Sequence, residues 1–94
     1  MARALMTVEL EEILRGVREV LLQGVLVGED PEALGNGTPL ITSGVLDSVR
    51  TGQLVGDLEE RFGVSIEAHE MSVDYLDTVE IIAATIHRKK SGES

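Results

Sequence analysis

Ser48 directly follows Asp47 within the stretch PLITSGVLDSVRTGQLV, residues 39–55, where an apolar loop runs into the start of a helix. A serine hydroxyl at such a place could be a hydrolase nucleophile, given a base beside it, a group orienting that base and an elbow of the form G-x-S-x-G. The residues around Ser48 lack the elbow, and His69 and His87 fall in a loop and near the C-terminus, so no triad is predicted. The stretch DPEALGNGTPLI puts Asp30, Glu32 and Gly35 at the first, third and sixth positions of a calcium loop, but Ile41 stands at the twelfth, where glutamate is required. Neither histidine has a companion at metal-ligand spacing. The chain has no cysteine, which removes disulfides, thiolate metal sites and cysteine nucleophiles.

Two readings of Asp47 and Ser48 remain. Both residue types accept hydrogen bonds from the free amides of a helix start, so the pair could serve only as a cap. Alternatively the serine hydroxyl is open to another enzyme, and a phosphodiester attached to it would lie near the positive end of the helix dipole.

The elements that position this pair follow from apolar spacing. Val8, Leu10, Ile13, Leu14, Val17, Val20, Leu21 and Val25 recur mostly at three- and four-residue steps, which predicts a first helix over residues 8–25 with Thr7 as its N-cap. The following GEDPEALGNGTPLITSG holds both prolines and reads as a long ordered loop anchored by Leu34, Leu40 and Ile41. A second helix is predicted over 48–62, burying Leu54, Val55, Leu58 and Phe62, keeping Glu59, Glu60 and Arg61 in water and ending at Gly63. Val64, Ile66, Met71, Val73 and Leu76 read as core plugs, with a short helix near 73–76. Asp77 with Glu80 three residues on predicts a cap for a last helix that buries Val79, Ile82, Ala83 and Ile86, and the tail HRKKSGES is expected to fray.

The fold class is therefore all-α, a four-helix bundle of three longer helices and one short, with a long loop between helices one and two. A single domain over 1–94 is expected, folded over about 7–88, with 89–94 as a frayed tail. Seventeen acidic residues against eight basic ones give a net charge of -9, which disfavours nucleic acid and anionic membranes and favours partners with basic surfaces. Phe62 and Tyr75 are the only aromatics, too few for base-stacking platforms. No apolar run approaches the roughly 18 residues of a membrane span and no signal peptide is evident, so a cytoplasmic, monomeric protein is expected.

GVLDSV ahead of an amphipathic helix, ERFGVSI at its end and DTVEIIAATI near the C-terminus make the chain similar, over nearly its whole length, to the acyl and peptidyl carrier proteins, whose hallmark is Asp-Ser-Leu. The resemblance implies that Ser48 carries 4'-phosphopantetheine, placed there from coenzyme A by a phosphopantetheinyl transferase, with Asp47 as the flanking residue of the motif. It implies no enzymatic activity: the arm's thiol would hold acyl or aminoacyl groups as thioesters. An adenylate-forming ligase or acyltransferase would load it and a downstream synthase or transferase would unload it. Val49 departs from the usual leucine, and Arg50 and Gln53 stand where fatty-acid carriers typically show acidic residues. LITSGVLDSV is closer to the L-F-x-x-G-L-L-D-S phrase of stand-alone aminoacyl carriers, such as D-alanyl carriers, with fatty-acid or polyketide carriage and an unmodified helical interaction module as alternatives.

Helical spacing makes one further expectation. Ser48, Gly52 and Gly56 lie four residues apart and share a stripe with almost no side-chain bulk. Since each glycine inside a helix costs about 1 kcal/mol relative to alanine, the stripe serves either a closely approaching partner or close packing against another helix. In the first case Val49, Arg50, Gln53, Asp57 and Glu60 would be the surrounding partner contacts.

Overall fold

The computed structural model describes the backbone over residues 2–90 and the side chains over 9–90. Four α-helices follow one another: α1 (Ala2–Gln23), α2 (Ser48–Phe62), α3 (Val73–Leu76) and α4 (Val79–Lys90). Short 3-10 turns at Pro31–Ala33 and Ala68–Glu70 punctuate the two longer connections, and no strand occurs among the described residues. α1 packs on α4 and α2, and α3 on α4.

The core is aliphatic. Ile13, Val17, Val20 and Leu21 of α1 meet Leu54, Val55 and Leu58 of α2 and Val79, Ile82, Ala83 and Ile86 of α4, all buried. Close approach of α1 and α2 depends on Gly16: a Cβ there would sit 2.7 Å from the Phe62 ring. Phe62 thus lies over the middle of α1, on the face that the spacing predicted and packed against the core, but only partly buried.

α1 begins at Ala2, so Thr7 lies inside the helix and is not its N-cap. The reason is local: the ARALM segment consists of strong helix formers that carry the helix past the expected start. At the other end Gly24 leaves the helix, with its amide on Val20 O at 3.0 Å, and the Leu26 amide returns to Leu21 O at 2.8 Å. That turn shifts the register by one residue. Leu26 is buried where Val25 was expected, and Val25 packs at the edge.

The connection over residues 24–47 is ordered by its own polar contacts. The Arg18 guanidinium donates to the carbonyls of Leu34 and Pro31, and Asp30 Oδ1 caps the first 3-10 turn by accepting from the Glu32 amide at 3.0 Å. Leu34, Leu40 and Leu46 plug into the core. Past α2, Gly63 adopts the left-handed conformation (φ 67°) that ends the helix, its amide on Glu59 O at 2.9 Å.

Glu59 is not fully in water, since its Oε2 accepts from the Ile66 amide at 2.9 Å. Met71 and Val73 are exposed and not core plugs, because the Ala68–Glu70 turn points the following residues outward. That turn is held by Glu70, whose Oε1 takes the Glu67 amide at 2.8 Å and the Lys89 ammonium at 2.6 Å. The Lys89 ammonium, with the Glu67 amide, holds the Glu70 carboxyl below the usual carboxylate range. Lys89 and Lys90 therefore belong to α4 and not to a frayed tail; residues 91–94 of the expected tail lie outside the described residues.

Leu58 is fully buried, so Leu58→Ala is expected to cost about 2 to 5 kcal/mol. Phe62→Ala should cost less, because part of its ring is already in water. Urea denaturation of both variants checks the order; an equal or larger loss at Phe62 would place that ring in the core.

Candidate functional site

Asp47 is the N-cap of α2. It has extended backbone angles, its Oδ1 accepts from the Arg50 amide at 2.8 Å, and its carbonyl accepts from the Thr51 amide at 2.9 Å and the Thr51 hydroxyl at 2.7 Å. Ser48 is the first residue of the helix, exposed, and its hydroxyl takes part in no hydrogen bond. The pair is thus divided in labour: the aspartate caps and the serine hydroxyl stays available. That removes the reading in which both residues serve only as a cap.

Ser48 opens onto a cleft of about 570 Å³ whose walls include Ile41, Leu46 and Thr51 on one side and Met71 and Val73 on the other. Met71 and Val73 give the cleft an exposed apolar wall, and Val49, the residue after Ser48, is itself 79 % exposed. Met71 and Val73 are contributors that sequence reasoning assigned to the core. Nothing in their spacing distinguishes a cleft wall from a plug.

The wall carrying Ile41 is set by a residue far away in sequence. Asp77 Oδ1 accepts from three successive amides, Leu40 at 3.2 Å, Ile41 at 2.9 Å and Thr42 at 2.9 Å, and Oδ2 accepts from the Thr42 hydroxyl at 2.7 Å. The Leu40 amide also reaches Asp77 O at 2.7 Å. Asp77 is buried, and the Thr42 amide and hydroxyl, with the amides of Ile41 and Leu40, hold its carboxyl below the usual aspartate range against the opposing effect of burial. The expected cap of α4 is accordingly corrected: Thr78 takes that place, its Oγ1 accepting from the Ile81 amide at 3.0 Å. Asp77 faces the loop because three consecutive amides form a concave anion site.

The other expected site residues divide by face. Among the described residues nothing lies within 4 Å of the position a Cβ would take at Gly52 or Gly56, so the stripe with Ser48 is open there and packs against none of them. Gln53, Asp57 and Glu60 instead line a groove of about 620 Å³ between α2 and α1. Arg50 is exposed and turns its guanidinium to Val45 O at 3.3 Å, against the loop that precedes Ser48. His69 stands edge-on to Tyr75, and His87 faces Glu9 with Nε2 to Oε2 at 3.9 Å; neither hydrogen-bonds to Ser48. Among the described residues no group of histidine and acidic side chains could hold a metal ion, and no helix is long and apolar enough to cross a membrane.

Residues 15–86 match the family model described as the phosphopantetheine attachment site. The chain belongs to that family. No curated protein matches it. Members are carriers and not catalysts, so this carrier domain bears covalent 4'-phosphopantetheine and works with partner enzymes that include a phosphopantetheinyl transferase. The structure offers what such a group requires: an exposed, uncommitted hydroxyl at the positive end of a helix, beside an apolar cleft. When bound, the group supplies the thiol that a chain without cysteine lacks. Asp47 keeps the mouth of α2 formed, and Ile41, Leu46, Met71 and Val73 wall the cleft beside Ser48.

The Asp77 carboxylate gives the fold a pH dependence of definite sign. A carboxyl held below its unfolded value contributes stability that is complete above that value, about pH 4, and lost as pH falls through the native one. Glu70 acts in the same direction, so the difference between wild type and Asp77→Asn isolates Asp77. The variant should have a lower urea midpoint at pH 7, and the gap should shrink on acidification. A gap that stays constant down to pH 3 would show that the Asp77 charge contributes nothing.

Proposed function

We propose that Ser48 is the attachment residue and that the protein carries aminoacyl groups as thioesters between separate enzymes, loaded by an adenylate-forming ligase. The observation that carries the attachment is the free, exposed Ser48 hydroxyl at the start of α2, left uncommitted because Asp47 does the capping. Attachment forms a bond from Ser48 Oγ to phosphorus and breaks the pyrophosphate link of coenzyme A. Adenosine bisphosphate is released and the hydroxyl proton passes to the transferase. The aminoacyl branch is supported by LITSGVLDSV and by Arg50 and Gln53, which dilute the acidic character of α2. The apolar cleft favours a second reading, carriage of a fatty or polyketide acyl chain loaded by an acyltransferase.

Incubation with coenzyme A and a broad-specificity phosphopantetheinyl transferase should raise the intact mass by one phosphopantetheinyl group, and Ser48→Ala should abolish the rise. No rise in the wild type would favour the alternative of an unmodified interaction module, and a rise that survives Ser48→Ala would overturn Ser48 as the attachment residue. Supplying the modified protein to an adenylating ligase with amino acids, against an acyltransferase with acyl-coenzyme A, separates the two cargo classes.

The partner surface on this reading is the exposed side of α2: Val49, Arg50 and the Gly52–Gly56 stripe, flanked by Gln53, Asp57 and Glu60. Since the space at both glycines is open, Gly52→Leu and Gly56→Leu should fold normally or melt higher, each helix glycine costing about 1 kcal/mol against alanine. Each should nevertheless slow loading by the cognate enzyme more than it slows modification of Ser48. Unchanged loading would remove the stripe from the recognition surface.

A further inference from the structure

We propose that Asp77 is a positioning residue for the modification of Ser48, acting through the loop that delivers the serine. The proposal rests on the reading of Ser48 as the attachment residue and adds a requirement to it: a carboxylate at the α3–α4 corner sets how well the transferase engages a serine at the opposite end of a loop.

The chain of contacts is continuous. Asp77 gathers the amides of Leu40, Ile41 and Thr42 and the Thr42 hydroxyl. From that anchor the loop closes on itself: the Gly44 amide donates to Ile41 O at 3.0 Å, the Ser43 hydroxyl to Pro39 O at 2.7 Å, and the Leu46 amide to Leu40 O at 2.9 Å. Gly44, at φ 86°, makes the reversal that lets Leu46 return beside Leu40. Leu46 is buried, and the next residues are the cap Asp47 and then Ser48. Residues 39–46 therefore form a small hydrogen-bonded body that leads directly to the attachment point, and among the described residues Asp77 is the one side chain outside it that hydrogen-bonds its first turn.

The same body supplies Ile41 and Leu46 to the cleft, while Met71 and Val73 come from the α3 side. Asp77, one residue beyond α3, thus joins both walls. Without its carboxylate, Leu40 would still be buried and its amide would keep the Asp77 carbonyl. The loop would loosen and not detach. A partner docking on the start of α2 would then have to order the loop on binding, an entropic cost that weakens association and leaves the bound chemistry alone.

The test compares the full chain with Asp77→Asn, Thr42→Val and Ile86→Val, using coenzyme A and a broad-specificity phosphopantetheinyl transferase, with intact mass as the readout of Ser48 occupancy. Ile86 is buried in α4 and takes no part in the hydrogen bonds of the loop's polar anchor, so its variant controls for lost stability. Asp77→Asn should raise the KM for the carrier about tenfold while kcat stays within about twofold, the pattern of a cost met on binding. Thr42→Val, which removes only the hydroxyl donor at the exposed end of the anchor, should raise KM in the same direction by less and serves if Asp77→Asn fails to fold. Amide exchange at Leu40, Ile41 and Thr42 should speed up about tenfold more in Asp77→Asn than exchange in α1 and α4, which follows the change in global stability alone. The proposal is overturned if both loop variants are modified with wild-type KM, or if Ile86→Val raises KM as much as Asp77→Asn does. A wild-type protein that gains no mass at Ser48 overturns the attachment reading itself, and needs no variant to show it.

Discussion

The buried Asp77 carboxylate is the interaction on which the geometry of the loop leading to Ser48 depends. The residues 40–42 run without helix or strand, so their amides have no ladder to satisfy them. A charged acceptor that takes three amides and a hydroxyl at once settles that need within a few ångströms, and the amides in turn keep the carboxylate ionised. Burial of one charge and ordering of one loop are thus the same event.

Around that anchor the bundle follows the logic of a small domain with few aromatics. Leucine, isoleucine and valine fill the centre, and Phe62 is only partly buried, closing over Gly16. Buried polar groups are few, and each has partners: Thr85 back-bonds to Ile81 O and reaches Tyr75 O, and Glu70 pairs with Lys89. Among the described residues no buried side-chain polar atom lacks a hydrogen bond. The second ion pair across the helices, Arg61 with Glu19 at 2.7 Å, is half-exposed and adds little by itself.

For a carrier, this construction separates stability from function. The side of α2 that faces α1 and α4 carries the apolar residues, whereas the open side carries Ser48 and two glycines with nothing near them. Glycines without packing neighbours weaken a helix and do nothing for the core. Their presence next to an exposed serine is intelligible if backbone must be approached from outside. The negative charge of the chain and its diluted form along α2 describe the same surface from the electrostatic side.

Periodicity and capping chemistry, which act within a few residues, were legible in the sequence alone. The span and both ends of α2, the short α3, the four-helix class and the family all follow from the spacing of apolar residues, Gly63 and the phrase GVLDSV. Local rules also failed where two local choices competed, as at Thr7, where strong helix formers upstream extended α1 past a possible cap. What only the tertiary structure decided are relations across distance. Asp77 reads locally as a helix cap, and its actual partners lie some thirty-five residues away. Met71 and Val73 have core composition but cleft placement, and Phe62 continues the buried stripe of α2 yet is only partly buried, its ring lying across Gly16 midway along α1. Residue type sets which partners a side chain could take, and only packing of the helices determines which of them comes within reach.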